Sequence, residues 1–346
     1  MFRKSKPDAT MSMEHLPEKI RVSVGSAMVL GLIAGKLDAP PTTVYLLTYH
    51  EQKCSANCGF CPQARTSTSR ADMLSRVTWP SFRTEKVIDS IAAAAKKDNI
   101  QRVCIQAINY SDVFENLLAL ATNIKAKAKM PLSVSCPPFS EEEMRDLHEA
   151  GVDRISVALD AATSTLFEDV KGVRARSQYS WEKHRKALKK AVQVFDRNSV
   201  STHLIVGLGE NEKQLGEIIQ WCVDAGICPS LFAFTPVPGT VLESMHQPEL
   251  ATYRRAQLAR YFIINGKTRI ENMRFDDEGR IVGYGVSQSM LEQALECGIP
   301  FQTSGCPGCN RPYYNEKPSG PIYNYPRPLT HDEIKAIKKQ FEKEIS

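Results

Sequence analysis

The stretch Cys54-Ser55-Ala56-Asn57-Cys58-Gly59-Phe60-Cys61 places three cysteines with three and then two residues between them, just after the apolar run Val44-Tyr45-Leu46-Leu47-Thr48-Tyr49. Thiolates are soft ligands, and a tight loop of three suits an iron–sulfur cluster. Three protein ligands leave one iron of a cubane open, which is what a catalytic metal site needs. Two other readings stand beside this one. A structural zinc would want a fourth ligand, for which His50 is the only close candidate, and zinc motifs mostly come as paired short spacings. Unligated structural cysteines would be out of place in a solvent-facing loop, because inert thiols normally sit on apolar faces.

Outward from this loop, strand-like and helix-like segments alternate. Residues 84–97 read as an Ala-rich helix, 102–107 as an apolar strand, 111–127 as a helix and 132–136 as the next strand. Ser140 and Glu143 form a capping-box pattern that opens a third helix. A strand at 154–159, a basic amphipathic helix at 181–195, a strand at 201–207, a helix at 212–225 and a strand at 230–235 follow. Apolar strands separated by helices have the rhythm of βαβ units. The expected class is α/β: a parallel sheet curling into a full or partial (β/α) TIM-type barrel, with its active site at the C-terminal ends of the strands. A doubly wound open sheet is the alternative. The cysteine loop follows the first strand, so motif and fold put the chemistry on one face.

The flanks differ in character. Residues 1–16 read as loosely ordered and 17–36 as helical, ended by Pro40-Pro41. Residues 268–286 read as a hairpin around Asp276-Asp277-Glu278-Gly279, and 288–296 as a short helix. The Gly-, Pro- and Tyr-rich tail beyond needs something to pin it, and a basic amphipathic helix at 330–344 closes the chain. The expected organisation is an N-terminal helical extension (1–40), a barrel core (41–265) and a C-terminal extension with a cluster-binding segment (266–346).

Composition narrows the function classes. The 346 residues are 42% hydrophobic and 24% charged, ordinary for a soluble globular protein. A net charge of +5 suits an acidic partner but is too weak to imply nucleic acid. Ten cysteines without a secretory leader point to a reducing compartment and metal work, hence a cytoplasmic protein. No apolar run is long enough to span a membrane.

Other positions could carry chemistry. Asp160 ends the fourth predicted strand, where its carboxylate could bind a ribose or cap the following turn. Gly207-Leu208-Gly209-Glu210 after the fifth strand could let backbone approach a flat ligand, or be a simple βα turn. Phe234-Thr235-Pro236-Val237-Pro238-Gly239-Thr240 is a rigid loop that could wall a pocket. In the tail, Cys297, Cys306 and Cys309 could bind a second cluster with a fourth ligand from elsewhere, form a zinc knuckle, or act as a redox pair at Cys306-Pro307-Gly308-Cys309. Cys104, Cys136, Cys222 and Cys228 read as core residues, Cys136 standing at a strand end.

The cysteine spacing, with Phe60 just before the last cysteine, resembles the signature of the radical S-adenosylmethionine (radical SAM) superfamily. That resemblance implies a 4Fe-4S cluster on Cys54, Cys58 and Cys61 whose open iron chelates SAM, and electron transfer that cleaves it. Asp160, Gly207, Gly209, Glu210 and the Pro238-Gly239-Thr240 loop are similar to the SAM-binding strand ends of biotin and lipoyl synthases. Within the basic group Lys171, Arg174 and Arg176, Arg174 is the implied cation for the SAM carboxylate. The usual Gly-Gly-Glu pattern after the second strand is absent, and Gln106 or Asn109 stands there as the side-chain candidate.

The segment from Cys297 to Glu316, with Tyr323-Asn324-Tyr325-Pro326 after it, resembles the archaeal proteins that act in pairs as a lipoyl synthase. The likeness covers roughly residues 40–328. It implies sulfur insertion into an octanoyl chain on a lysine of a lipoyl-carrier protein, with a second, auxiliary 4Fe-4S cluster sacrificed as sulfur donor. A paralogous radical SAM partner and a reductant such as ferredoxin are implied too. Sulfur insertion into a small molecule as in biotin synthase, another cofactor-maturing reaction, or a metal-stapled scaffold or electron carrier are the alternatives.

Overall fold

The computed structural model describes residues 15–345, with side chains through Phe341, so the expectation for residues 1–14 lies outside it. Its first element corrects the N-terminal reading. Residues 17–36 do not form one helix: Lys19–Val22 is a strand, β1, and only Val24–Val29 is helical, α1. β1 pairs antiparallel with β2 (Thr43–Thr48), setting Ile20 opposite Thr48 and Val22 opposite Leu46. The β-branched Ile20 and Val22 are buried against the core, and pairing here satisfies an edge of β2 that would otherwise be open.

A small hairpin, β3 (Met73–Leu74) and β4 (Val77–Thr78), follows the cysteine loop. Then come β5 (Ser81–Arg83), α2 (Thr84–Ala95), β6 (Arg102–Gln106), α3 (Val113–Lys127), β7 (Leu132–Ser135), α4 (Glu141–Glu149), β8 (Arg154–Ser156) and α5 (Ser164–Val170). Next are α6 (Trp181–Phe195), β9 (Val200–Val206), α7 (Glu212–Asp224), β10 (Ile227–Ala233) and α8 (Leu250–Ile264). The capping box at Ser140 and Glu143 is present on α4. Among the described residues one sheet has eight strands in the order β10-β9-β8-β7-β6-β2-β1-β5. From β2 to β10 neighbours are parallel and follow chain order, the arrangement of a partial (β/α) barrel.

Alternation along the strands explains their apolar composition. Val44, Leu46, Val103, Ile105, Leu132 and Val134 belong to the main core with the helices. Tyr45 and Leu47 belong to a smaller cluster with Trp79 and Ile108, against which Cys54, Cys104, Cys309 and Tyr314 pack. Both faces are therefore buried, as parallel strands require. Helices α5 and α8 were not legible from periodicity. α5 is short and held by Thr163, whose hydroxyl accepts from the Leu166 amide at 3.2 Å. α8 buries Arg254, Arg255 and Gln257 beside Tyr253 and Phe262, so no apolar stripe marks it. The Arg255 guanidinium bonds both oxygens of Glu212 on α7, at 2.8 and 3.0 Å.

The C-terminal part has a hairpin, β11 (Arg274–Phe275) with β12 (Ile281–Gly283), then α9 (Gln288–Cys297) and α10 (His331–Ile345). Between α9 and α10 the irregular tail returns to the barrel. The Leu231 amide of β10 donates to Ser304 Oγ at 2.8 Å, and the Thr42 amide before β2 donates to Asn310 Oδ1 at 3.0 Å. Arg76 holds the carbonyls of Tyr313 at 2.9 Å and Glu316 at 2.7 Å. The tail is thus pinned to both flanks of the parallel strands. No helix among the described residues is long and apolar enough to cross a membrane.

Glu316 supplies a pH prediction. Its side chain is buried and one carboxyl oxygen has no hydrogen-bond partner. Burial raises its pKa from 4.5 to about 7. Between those values the unfolded chain is ionised while the folded chain still holds the proton, so this group makes stability fall as pH rises from 4.5 to about 7 and leaves it level above. Denaturant titrations at pH 5 and pH 8 should show Glu316→Gln more stable relative to the parent at the higher pH. Equal differences at both values would mean the carboxyl is hydrated.

Candidate active site

The loop after β2 is shaped by its own backbone and by distant strands. The Cys54 amide donates to the Gln63 carbonyl at 3.0 Å, Ser55 to Asn109 at 2.7 Å, and Gly59 to Val170 at 2.7 Å. Buried Asn57 donates to the Ala175 carbonyl and accepts from the Thr66 amide and hydroxyl. The Lys53 ammonium gathers the carbonyls of Pro62, Ser67 and Ser69 at 2.7–2.8 Å. These bonds turn Cys54, Cys58, Cys61 and Phe60 into the wall of a cavity of about 210 Å³. The loop is half-buried rather than solvent-facing.

Burial sets the thiol chemistry. It pushes Cys54 up, Cys58 well up and Cys61 to about 12, so the metal-free thiols hold their protons and metal must displace them. Four groups favour the ionised sulfurs: the Asn109 amide donates to Cys54 Sγ at 3.1 Å, the backbone of Ala56 also lowers Cys54 and that of Gln63 lowers Cys61, and the charge of Lys171 lowers all three thiols. Among the described residues no three His, Cys, Asp or Glu side chains are gathered as closely as a single metal ion requires. Three thiols on the wall of one cavity suit the soft irons of a cluster and leave one iron open.

Asp160 lines the same cavity. The strand expected at 154–159 stops pairing at Ser156. The Thr202 hydroxyl enters the ladder, accepting from the Leu159 amide at 2.9 Å and donating to the Val157 carbonyl at 2.8 Å. Asp160 then rejoins the sheet beside Leu204 with φ of 65°. Such an irregularity re-aims a side chain, here the Asp160 carboxylate into the cavity. It does not cap the next helix; Thr163 does that. Lys171 Nζ lies 2.6 Å from Asp160 Oδ2, with both side chains at most 10% exposed. Burial opposes the Lys171 charge, but Asp160 and then Cys58 more than offset it and raise its pKa.

Three groups of expected positions lie apart from this cavity wall. Arg174 is outside the cavity wall: its side chain is 54% exposed and paired with Asp169, while Lys171 is the buried cation. Gly207, Gly209 and Glu210 form a closed turn beyond the wall, the Glu210 carboxylate accepting from the amides of Gly207 at 2.7 Å and Leu208 at 3.1 Å. Gly207 has φ of +102°, and a Cβ there would meet Pro248 at 2.9 Å, so turn geometry and packing require the glycine. Cys297 is exposed on α9 with its thiol on the Ala294 carbonyl, whereas Cys306 and Cys309 line a second cavity of about 90 Å³.

Gln106 lines both cavities and donates to Cys104 Sγ at 3.0 Å; Asn109 acts through its main chain on Cys54 and Ser55 and through its side chain on Tyr179. Phe234 and Thr235 wall the first cavity, and Gly239 steadies the neighbouring loop by accepting from the Thr68 amide and Ser67 hydroxyl at 2.9 Å. Residues the sequence did not single out also face the cavity: Tyr179, His184, His203 and Tyr314. Burial lowers His184 to about 3 and His203 to about 4, so both rings are neutral at pH 7. His203, Phe232 and Tyr314 are walls common to the two cavities. A lone histidine or tyrosine on a strand or tail carries no local signal for this.

Comparison with known proteins gives the following. A sequence profile described as the Radical SAM superfamily matches residues 48–222. No curated protein matches the chain by sequence. Among solved structures the chain is similar to methylornithine synthase (PylB), at 13% identity over 76% of this chain and 71% of that one, with a TM-score of 0.51. It is also similar to the FeFe-hydrogenase maturase HydG from Carboxydothermus hydrogenoformans, at 13% identity over 70% of this chain and 55% of that one, with a TM-score of 0.51. At such identity these likenesses speak for the fold alone.

Proposed function

The chain belongs to the radical SAM superfamily, and on that premise we propose that it inserts sulfur into an octanoyl chain carried on a lysine of a lipoyl-carrier protein. A paralogous partner would insert the other sulfur, and a ferredoxin-like protein would be the reductant. One observation carries this reading: the cavity holding Cys54, Cys58 and Cys61 shares walls with a second cavity that holds Cys306 and Cys309. A site for making a radical and a site able to hold a sulfur donor are thereby neighbours.

When bound, a cluster with SAM supplies a radical able to take hydrogen from an unactivated carbon, for which no acid–base pair is strong enough. The chain's own residues do the rest. Cys54, Cys58 and Cys61 would hold the cluster, and Lys171 offsets the negative sulfurs. The Asp160 carboxylate accepts from Lys171 and faces the cavity, where a ribose could use its other oxygen. Leu47, Ala107, Ile108, Ile205 and Phe234 give the cavity an apolar wall that suits an acyl chain and excludes water. The mild positive charge suits an acidic carrier domain.

Mass spectrometry of an octanoylated carrier peptide, incubated anaerobically with the protein, SAM and dithionite, tests the reading. The expected product gains one sulfur atom with this chain alone and two when the paralogue is present. SAM cleavage with an unchanged peptide would remove the octanoyl chain as substrate.

A further inference from the structure

Three strands bring one row of side chains into the barrel. Tyr45 on β2 is the register partner of Cys104 on β6, and Cys104 is the register partner of Ser133 on β7. The tail lays its two cysteines over this row. Tyr45 Oη lies 3.2 Å from Cys309 Sγ, and Ser133 Oγ lies 3.4 Å from Cys306 Sγ. Cys104, between Tyr45 and Ser133, therefore faces both tail thiols. All three cysteines line the second cavity, and Cys104 and Cys309 pack on the same small apolar cluster.

The surroundings are those of a ligand site rather than of plain core. Ser156 Oγ is buried on the wall of this cavity with no hydrogen-bond partner, which costs stability unless something fills the space. Arg311 sits on the same wall, its guanidinium 3.8 Å from the centre of the Phe232 ring and its amide donating to Tyr45 Oη. It supplies positive charge for a thiolate-rich, negatively charged group.

We infer that Cys104, with Cys306 and Cys309, forms a second iron–sulfur cluster site inside the barrel, and that Cys297 has no part in it. This rests on the proposed two-site reaction only for its use; the site itself stands on the register and the tail contacts. On loading, each thiol releases its proton to solvent and gains an iron–sulfur bond, with no redox change at the thiol. The shared wall of Gln106, His203, Phe232 and Tyr314 then sets this cluster next to the SAM cavity.

The test begins with Cys54, Cys58 and Cys61 all changed to Ala, so that only the second site can load. Reconstitution with ferric iron, sulfide and dithiothreitol should leave about four irons per chain with a cubane Mössbauer signature. Adding Cys104→Ser, Cys306→Ser or Cys309→Ser should each cut the iron at least twofold, whereas Cys297→Ser should leave it unchanged. Full iron in the Cys104→Ser chain, or its loss in the Cys297→Ser chain, overturns the assignment. Because Cys104→Ser could perturb folding, alkylation of the unmutated chain is compared before and after loading. Cys104 should gain protection together with Cys306 and Cys309 while Cys297 stays reactive; protection of Cys297 instead overturns it. If the iron results hold and the octanoyl peptide is still unchanged, only the substrate reading fails.

Discussion

Cys58→Ala is expected to abolish production of 5′-deoxyadenosine from SAM and dithionite, a fall of more than about 100-fold, and to remove about four irons per chain. Losing an outer partner of a metal ligand typically costs about 10–100-fold, and a first ligand among only three costs more. The position permits no substitute. Cys58 is half-buried in a wall where the adjacent ionisable groups are Cys54, Cys61, Asp160 and Lys171, and a methyl group there cannot bind iron. The measurement is iron content with a chromatographic assay of the nucleoside, on a chain checked for an unchanged melting curve. Sustained cleavage by the Cys58→Ala chain would mean that the loop does not hold the cluster that acts on SAM.

The second large effect concerns Asp160 and Lys171. Their side chains are 10% and 6% exposed and 2.6 Å apart, so removing one partner leaves a buried charge uncompensated. Asp160→Asn or Lys171→Met should each lower stability by about 3–5 kcal/mol. The double variant should lose clearly less than the sum, because the two changes remove one interaction. Arg174→Met on the exposed pair with Asp169 should leave stability essentially unchanged, because solvent screens that pair, and serves as the control. Denaturant titration of the cycle checks this; additive single losses would show that the pair is not coupled. The same Lys171→Met chain should load iron less well, since Lys171 is the cation that lowers the Cys54, Cys58 and Cys61 thiols.

Much of the barrel was legible because it is local. A helix or strand writes its burial into the spacing of its own apolar residues, and β6, α3, β7, α6, β9 and α7 fall where that spacing puts them. The segment 17–36 misled because the strand-like i, i+2 spacing of Ile20 and Val22 is only one pair long and runs straight into the helical residues Val24–Val29. Its pairing with β2 decided between them. α8 gave no stripe because buried Arg254, Arg255 and Gln257 find partners in Glu212, Tyr323 and Asn324, none of them near in sequence.

The chemical identity of the loop was likewise written locally: Cys54, Cys58 and Cys61 are ligands by residue type and spacing, whatever surrounds them. What distant residues do together was not. Arg174 and Lys171 are three positions apart in one basic group, yet only the turn of chain after α5 buries the second beside Asp160 and leaves the first outside. Cys297 stands close to Cys306 and Cys309 in sequence, but it ends α9 as an exposed residue with its thiol turned to the Ala294 carbonyl. Cys104 is about two hundred residues away and meets them because strand register, which fixes every side chain to one face, sets it between Tyr45 and Ser133. By itself, then, the sequence determined the alternation of strands and helices and the metal-binding character of the Cys54–Cys61 loop. The tertiary structure alone decided which charge faces that loop and which thiols share the second cavity, because both depend on contacts between segments whose separation along the chain carries no periodic signal.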